Sequence, residues 1–389
     1  MLLGAARENI ATGMIPPILL NHGETIMFSF RSRIVAGLTF AAVLFGAGIT
    51  AAVAQSLTKM TLAQEHPVIG VGEEVFLYAV PKHLGYFAAE GLDLSVQNTQ
   101  SGMISAQALQ SGSAQVGTTE GEAILKVREE GGDLVSFFNL KRNPGTFLVV
   151  LANSPIHKLE DLKGKTIGAP SFGAGGGLGL KQNLTEIGIT PDQYTAIATG
   201  AGPSAVAALR TGKIDALVMW DAMLAAAENT GLKLRIVNIP LEDGFVGTTL
   251  ATQDNFVNAH PKEVAGYCRA MTKALVFTMT NKEAAVRIFW DEFPNAKPAN
   301  LDDATALKNG AHIMDRWLQM ALQGQPAGAP LGAFIPQNWQ NTEDAFTKIG
   351  VLNGTQPATA AYTTKFISAC DDFDRASIVA QAKSWKEKP

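Results

Sequence analysis

"APSFGAGGGLGLKQNL", Ala169 to Leu184, decides how this chain is organised. Five glycines stand between an apolar run that reads as a strand, near 165–169, and an amphipathic run that reads as a helix to about Ile187. Such a corner brings free backbone N–H groups close to whatever lies beyond the strand end. Two nucleotide readings fail on spacing. A phosphate loop needs Lys directly after its last Gly, and here Gly179 is followed by Leu180. A dinucleotide loop needs a third Gly where Leu178 stands after Gly173 and Gly175. Two readings stay open: a cradle for an anion or carbonyl oxygen, with Ser171 as a cap, or tight packing of the helix on its sheet.

Outward from this corner the pattern is α/β on both sides. Upstream, "PVIGVGEEV" (67–75) reads as a strand running into a polar loop, with a helix over about 77–90. "LDLSVQN" (92–98) alternates as a strand, a helix follows from Ser101 to Gln110, "AQVGT" is a short strand, and Gly121 to Glu130 is helical. "LVSFFNL" (134–140) and "TFLVVLA" (146–152) are apolar β runs. The glycine corner then restarts the alternation, through "YTAIAT", "GPSAVAALRTG", "IDALVMW", "AMLAAAENTG" and "LKLRIVNI". "GTTLATQ" (247–253) reads as a strand returning to the first unit. From Asn255 onward long stretches carry apolar residues at three- and four-residue spacing, the mark of helices.

Composition sets outer bounds. At 389 residues, 47% hydrophobic and 17% charged, the chain has material for two or three domains. A formal net charge of −4 gives no reason to expect a nucleic-acid partner. Residues 1–54 do not read as fold. Arg31 and Arg33 precede an apolar run from Ile34 to Val53, ending in a small-x-small pattern that predicts cleavage after Ala54. The competing reading of that run is an uncleaved membrane anchor. Cys268 and Cys370 allow one disulfide or a pair of buried thiols. The histidines, His22, His66, His83, His157, His260 and His312, show no metal-ligand spacing, so neither a metal nor a cofactor is expected.

Four stretches, in order, carry a resemblance: "LGYFAAEGLDLSVQ" (84–97), "ALQSGSAQVGTTEGEAIL" (108–125), "IHKLEDLKGKTIGAPSFG" (156–173) and "ALRTGKIDALVMWDAML" (208–224). Together they resemble the NMT1/THI5-like periplasmic substrate-binding proteins of ABC importers, a group that takes up nitrate, sulfonates, taurine and pyrimidine precursors. Gln115 stands where the group usually has Asp. The resemblance implies a two-lobed type II periplasmic binding protein fold with a two-strand hinge and extra C-terminal helices. The expected division is residues 55–153 with 247–389 as the first lobe and 154–246 as the second. It also implies a non-catalytic, monomeric protein in the periplasm that closes on a small solute and hands it to an inner-membrane ABC permease.

On that fold the strand ends line the cleft. In the first lobe these are Glu73, Glu74, Val75 and Phe76, then Thr118, Thr119 and Glu120, with Asn139. In the second they are Ser171, Phe172, Gly173, Ala174 and Gly175, then Gly200, Gly202, Trp220 and Asp221. Trp220 reads either as a flat wall for a ring or as core. Glu73 and Glu74 read either as a solvated loop or, with Glu120, as the acceptor set for an amine or ring N–H; a bare anion would be repelled by ~1 kcal/mol or more per charge. Lys141 and Arg142 are expected in the connector. The expected solute is nitrogen-bearing or heteroaromatic. The alternatives are a sulfonate- or nitrate-type anion, a pyrimidine-synthase-like enzyme, which would need a reactive histidine in the cleft, or a ligand sensor for a membrane receptor.

Overall fold

The computed structural model describes residues 56–387, apart from 174, 241–243 and 327. The expected leader and its cleavage site lie outside the described residues. Two five-stranded sheets carry the fold. The first has the order β2-β1-β3-β10-β4 and the second β7-β6-β8-β5-β9. In the first sheet β1 (Thr58–Gln64) pairs in parallel with β2 (Leu92–Asn98) and β3 (Val116–Thr119). β10 (Thr249–Gln253) then runs antiparallel between β3 and β4 (Leu134–Asn139). The second sheet repeats the arrangement. β6 (Thr166–Ala169) lies parallel to β7 (Thr195–Ala198) and β8 (Ala216–Trp220), and β5 (Thr146–Leu151) runs antiparallel between β8 and β9 (Leu234–Val237).

Two expectations give way here. "PVIGVGEEV" is not a strand: the first strand is Thr58–Gln64, which alternates Met60 and Leu62 inward against outward Lys59, while 67–74 form the loop that follows. "TFLVVL" does not belong to the first lobe either. As β5 it sits inside the second sheet, so the chain leaves the first sheet over 140–145 and returns over 238–248 rather than parting at residue 153. The return strand itself is where "GTTLATQ" places it.

The helices Pro261–Thr280, Lys282–Glu292 and Asp303–Leu322 cover one face of the first sheet, burying Tyr267, Phe277, Phe289 and Trp317 among Phe76, Phe137 and Phe138. Trp339 and Phe346, from the helix Pro336–Lys348, close the other face over Leu109 and Ile124. Cys268 and Cys370 are joined as a disulfide that ties the helix Pro261–Thr280 to the C-terminal segment. No described helix is long and apolar enough to cross a membrane.

Candidate functional site

The glycine loop meets a carboxylate of the protein itself. The helix Gly175–Glu186 begins at Gly175, whose N–H donates to Glu122 Oε1 at 3.1 Å. Glu122 stands in the first turn of the helix Gly121–Glu129, on the first sheet's side of the cleft. A helix N-terminus attracts an acceptor oxygen, and this one has it already in the Glu122 carboxyl. The glycines are also needed for packing. A Cβ on Gly177 would lie 1.8 Å from the Ser171 carbonyl oxygen, and one on Gly176 would lie 2.5 Å from Thr146 Cγ2. The packing reading therefore holds at Gly176 and Gly177, while the N–H at Gly175 is taken up by a side chain of the protein itself.

Across from the loop, Glu65 and His66 leave the end of β1. His66 stacks on Trp220, from the end of β8, with centroids 5.4 Å apart and planes 22° apart. Its Nε2 lies 2.9 Å from Glu73 Oε1, and the other oxygen of Glu73 accepts from the Trp317 indole at 3.0 Å. Glu65 Oε1 accepts from Thr248 at 3.1 Å. Its Oε2 and that of Glu120 are buried without a hydrogen-bond partner. Both face Gly102, where a Cβ would stand 3.2 Å from the Glu65 oxygen and 1.5 Å from that of Glu120. Only Gly leaves room for the two carboxylates there. Below them Lys141 pairs with Asp221 Oδ2 at 3.0 Å, both side chains buried, and lies 5.3 Å from the centre of the Trp317 ring.

Burial and crowding set the protonation states. Burial, and then the charge of Glu65, push Glu120 up to about 8. Burial, and then Glu120, push Glu122 up to about 8. Burial raises Glu65 to about 7 against the pull of His66. Burial likewise raises Glu74 to about 7. Burial would raise Glu73 too, but His66, Lys141 and the Trp317 N–H hold it down at about 2. Burial would lower His66, yet the charge and hydrogen bond of Glu73 carry it to about 10. His66 is therefore a cation at neutral pH, paired with an ionised Glu73.

Three adjoining cavities run along this line. One of about 100 Å³ lies between Glu65, Glu120, Glu122, Lys141 and the start of the glycine helix. A second, of about 190 Å³, extends past Ser101 to Ser171 and Gly200. The third, of about 440 Å³, is apolar over much of its wall, with Val71, Pro203, Val206, Met223 and Ile313, and carries Glu73 and Glu74 at one side. Trp220 lines all three.

The expected site residues separate into groups. Glu73, Glu74, Glu120, Ser171, Gly175, Gly200, Gly202 and Trp220 line these cavities. Val75 and Phe76 turn into the core because the chain at Val75 is already helical, and Phe76 packs on Trp317 at 4.6 Å. Thr118 and Thr119 are buried beneath the cleft, Thr118 accepting from the Glu65 N–H and Thr119 donating to the Gly102 carbonyl. Asn139 opens on a separate small cavity beside Gly332. Phe172 packs on the second-sheet core, and Gly173 is exposed. Asp221 is buried as the partner of Lys141, and Ala174 lies outside the described residues. Sequence reasoning missed Glu65, His66, Glu122, Lys141 as a buried cavity residue, and Trp317. The adjacent pair Glu65-His66 at a strand end was the available signal, hidden by the misplacement of the first strand.

Comparison with known proteins fits this geometry. The family described as "NMT1/THI5 like" matches residues 74–285, more than half of the chain. A riboflavin-binding protein, RibY, of Chloroflexus aurantiacus is 24% identical over 307 residues, 75% of this chain and 81% of its own. A 4-amino-5-hydroxymethyl-2-methylpyrimidine phosphate synthase of Aspergillus parasiticus is 26% identical over 239 residues, covering 57% and 68%. Among solved structures, the periplasmic aliphatic sulphonate binding protein SsuA of Escherichia coli superposes with a TM-score of 0.58 at 18% identity, over 78% of this chain and 91% of its own. That likeness establishes the two-lobed periplasmic binding protein fold.

Proposed function

The chain belongs to the NMT1/THI5-like family, and from that premise we propose that it is the exported, monomeric solute-binding protein of an ABC importer, closing on a small nitrogen-bearing heteroaromatic solute. The observation that carries the reading is the state of the cleft's polar groups. The N–H at its glycine corner, on Gly175, already donates to the Glu122 carboxyl. Its partnerless buried oxygens, on Glu65 and Glu120, belong to carboxyls that titrate near neutrality and that a bound donor would draw into the ionised, accepting form. A ring N–H or a protonated amine fits those oxygens, with Trp220 as the flat surface beside them. A sulfonate or nitrate ion would instead meet the carboxyls of Glu65, Glu120 and Glu122, and each one that ionised would repel it by about 1 kcal/mol in water and more when dry.

The relatives support the same reading. Riboflavin, the solute named for the Chloroflexus relative, is a nitrogen-rich fused ring. Three contacts span the two sheets and would have to part on opening: His66 against Trp220, Glu122 at Gly175, and Arg316, on the helix Asp303–Leu322, bonded through both oxygens of Glu228 at 2.8 Å. Release of a solute requires these to part together, as in hinge closure. The disulfide and the leader pattern support delivery to an oxidising periplasm, where an inner-membrane permease is the partner.

Catalysis is the second reading, and one observation favours it: a histidine stands in the cleft, as the synthase-like alternative requires. Against it, His66 is held as a charged partner of Glu73, which removes its lone pair from use as a base or nucleophile at neutral pH. Thermal unfolding against a panel of riboflavin, aminopyrimidines, polyamines, taurine, alkanesulfonates and nitrate tests the proposal. A solute at ~100 times its dissociation constant stabilises the protein by ~2.7 kcal/mol. A shift with a heterocycle, lost in Glu120→Gln, is the expected result. Shifts confined to sulfonates or nitrate refute the acidic-cleft reading, and turnover of a bound pyrimidine refutes the binding-only reading.

A further inference from the structure

The wall of the cleft beside β1 carries a second chemistry. Glu65, His66 and Glu73 each place one donor atom within 4.8 Å of the other two. Two are carboxylate oxygens and one is an imidazole nitrogen, the donor types that divalent first-row ions take when positions are left open for water or a ligand. Each carboxylate is steadied from outside the trio. The Thr248 hydroxyl donates to Glu65 Oε1 at 3.1 Å, and the Trp317 indole N–H to Glu73 Oε2 at 3.0 Å. Outer partners of this kind orient metal ligands.

Two further facts point to a cation. Glu65 is only 7% exposed, yet its Oε2 has no hydrogen-bond partner. Acids outnumber cations here, since His66 and Lys141 between them answer Glu65, Glu73, Glu74 and Asp221. Buried carboxyls in such excess stay protonated unless a further cation joins them and draws them into the ionised form.

We propose that Glu65, His66 and Glu73 form a binding site for one divalent first-row transition-metal ion, with zinc as the natural probe, whose remaining coordination positions open onto the cleft cavities. On binding, the Nε2 proton that His66 donates to Glu73 leaves to solvent, and the ion takes its place between nitrogen and oxygen. His66 lines two of the cavities, so the ion is reachable from the cleft. The inference goes beyond the solute reading and needs no organic ligand. Where both hold, the ion offers its open positions to a ring nitrogen while Glu120 accepts from the same solute.

The test uses purified protein stripped with EDTA and dialysed, with no organic solute present. Zn²⁺ is titrated by calorimetry, and Co²⁺ is titrated with its visible absorption as a report on coordination. One equivalent of Zn²⁺ binds, and Co²⁺ develops the bands of a low-coordinate nitrogen–oxygen site. Glu65→Gln and His66→Asn each remove a ligand and weaken Zn²⁺ by more than about 100-fold, while Trp317→Phe, which loosens only the anchor of Glu73, weakens it about tenfold. Melting curves identify any variant that fails to fold, and the isosteric Glu65→Gln keeps the test alive if His66→Asn is one. No stoichiometric uptake by folded wild type overturns the inference, as does uptake that Glu65→Gln and His66→Asn leave unchanged. Zinc binding in a protein that shifts with no heterocycle would keep this inference and remove the solute reading, and the converse would remove this inference alone.

Discussion

Lys141→Met isolates what holds the cleft floor together. Lys141 leaves the first sheet just after β4, and its ammonium lies 3.0 Å and 3.2 Å from the two oxygens of Asp221, at the start of the helix Asp221–Asn229 beyond the second sheet. The two side chains are 4% and 0% exposed. Asp221 Oδ1 keeps one other donor, the Ala222 N–H at 2.8 Å, whereas Oδ2 has the ammonium alone. Burial would lower the Lys141 pKa, but Asp221 first and Glu73 next raise it instead, so one cation serves at least two acids. Removing one partner of a buried pair costs about 3–5 kcal/mol, because the other charge stays buried and unpaired.

Lys141→Met falls in that range by urea denaturation at constant m. Asp221→Asn costs less, since Lys141 still has Glu73 and Glu65. The double variant recovers the Asp221 share but not the share of Glu73, and the double-mutant cycle returns the difference. Equal costs for the two single variants would refute the reasoning, as would a Lys141→Met cost below about 1 kcal/mol, the range of an exposed pair.

Three other outcomes follow from the same geometry. Gly177→Ala must push the helix start off the Ser171 carbonyl, 1.8 Å from the new methyl, and loses about 1–3 kcal/mol; Gly173→Ala, whose nearest contact is at 3.8 Å, is neutral within about 0.5 kcal/mol, and equal melting temperatures for the two would contradict the packing account. The folded pKa of Glu122, about 8, lies above its ordinary 4.5, so its contribution to stability is full below pH 4.5 and is lost as pH rises through 8. That loss is about 1.4 kcal/mol per pH unit, and Glu122→Gln flattens it by that amount between pH 5 and 7.5, whereas an unchanged slope in denaturation series would show that Glu122 titrates normally. The disulfide closes a sequence separation of 102 residues, so Cys268→Ala with Cys370→Ala loses about 4–5 kcal/mol, and a loss under 1 kcal/mol would mean that the C-terminal segment is held by packing alone.

Much of the fold was legible because both sheets are built from short, strongly patterned runs. "LDLSVQN" is β2 residue for residue, and the restart at the glycine corner marks the second sheet. Pairing was not legible. Periodicity identifies "TFLVVL" as a strand but not that it pairs with β8 and β9, because the partners of β5 follow it in the chain by dozens of residues. "PVIGVGEEV" misled because its apolar residues suggested burial, whereas Val68 is 70% exposed and the segment is loop. Glu120 and Trp220 stand at the strand ends where the pattern put them, whereas Glu73 lines its cavity from a loop and not from the strand end that "PVIGVGEEV" implied. His66 became functional only through tertiary contacts, with Glu73 seven residues on and Trp220 from the other sheet, and Trp317 reaches Glu73 across 244 residues.

The central claim is that the cleft receives a donor of hydrogen bonds and not an anion. Calorimetric titration of the wild type and Glu120→Gln, each with a protonated aminopyrimidine and with an alkanesulfonate of similar size, tests it most directly. The account predicts binding of the aminopyrimidine by the wild type, weakened at least tenfold in Glu120→Gln, and no heat from the sulfonate. Sulfonate binding by the wild type, kept or strengthened in Glu120→Gln, would contradict it.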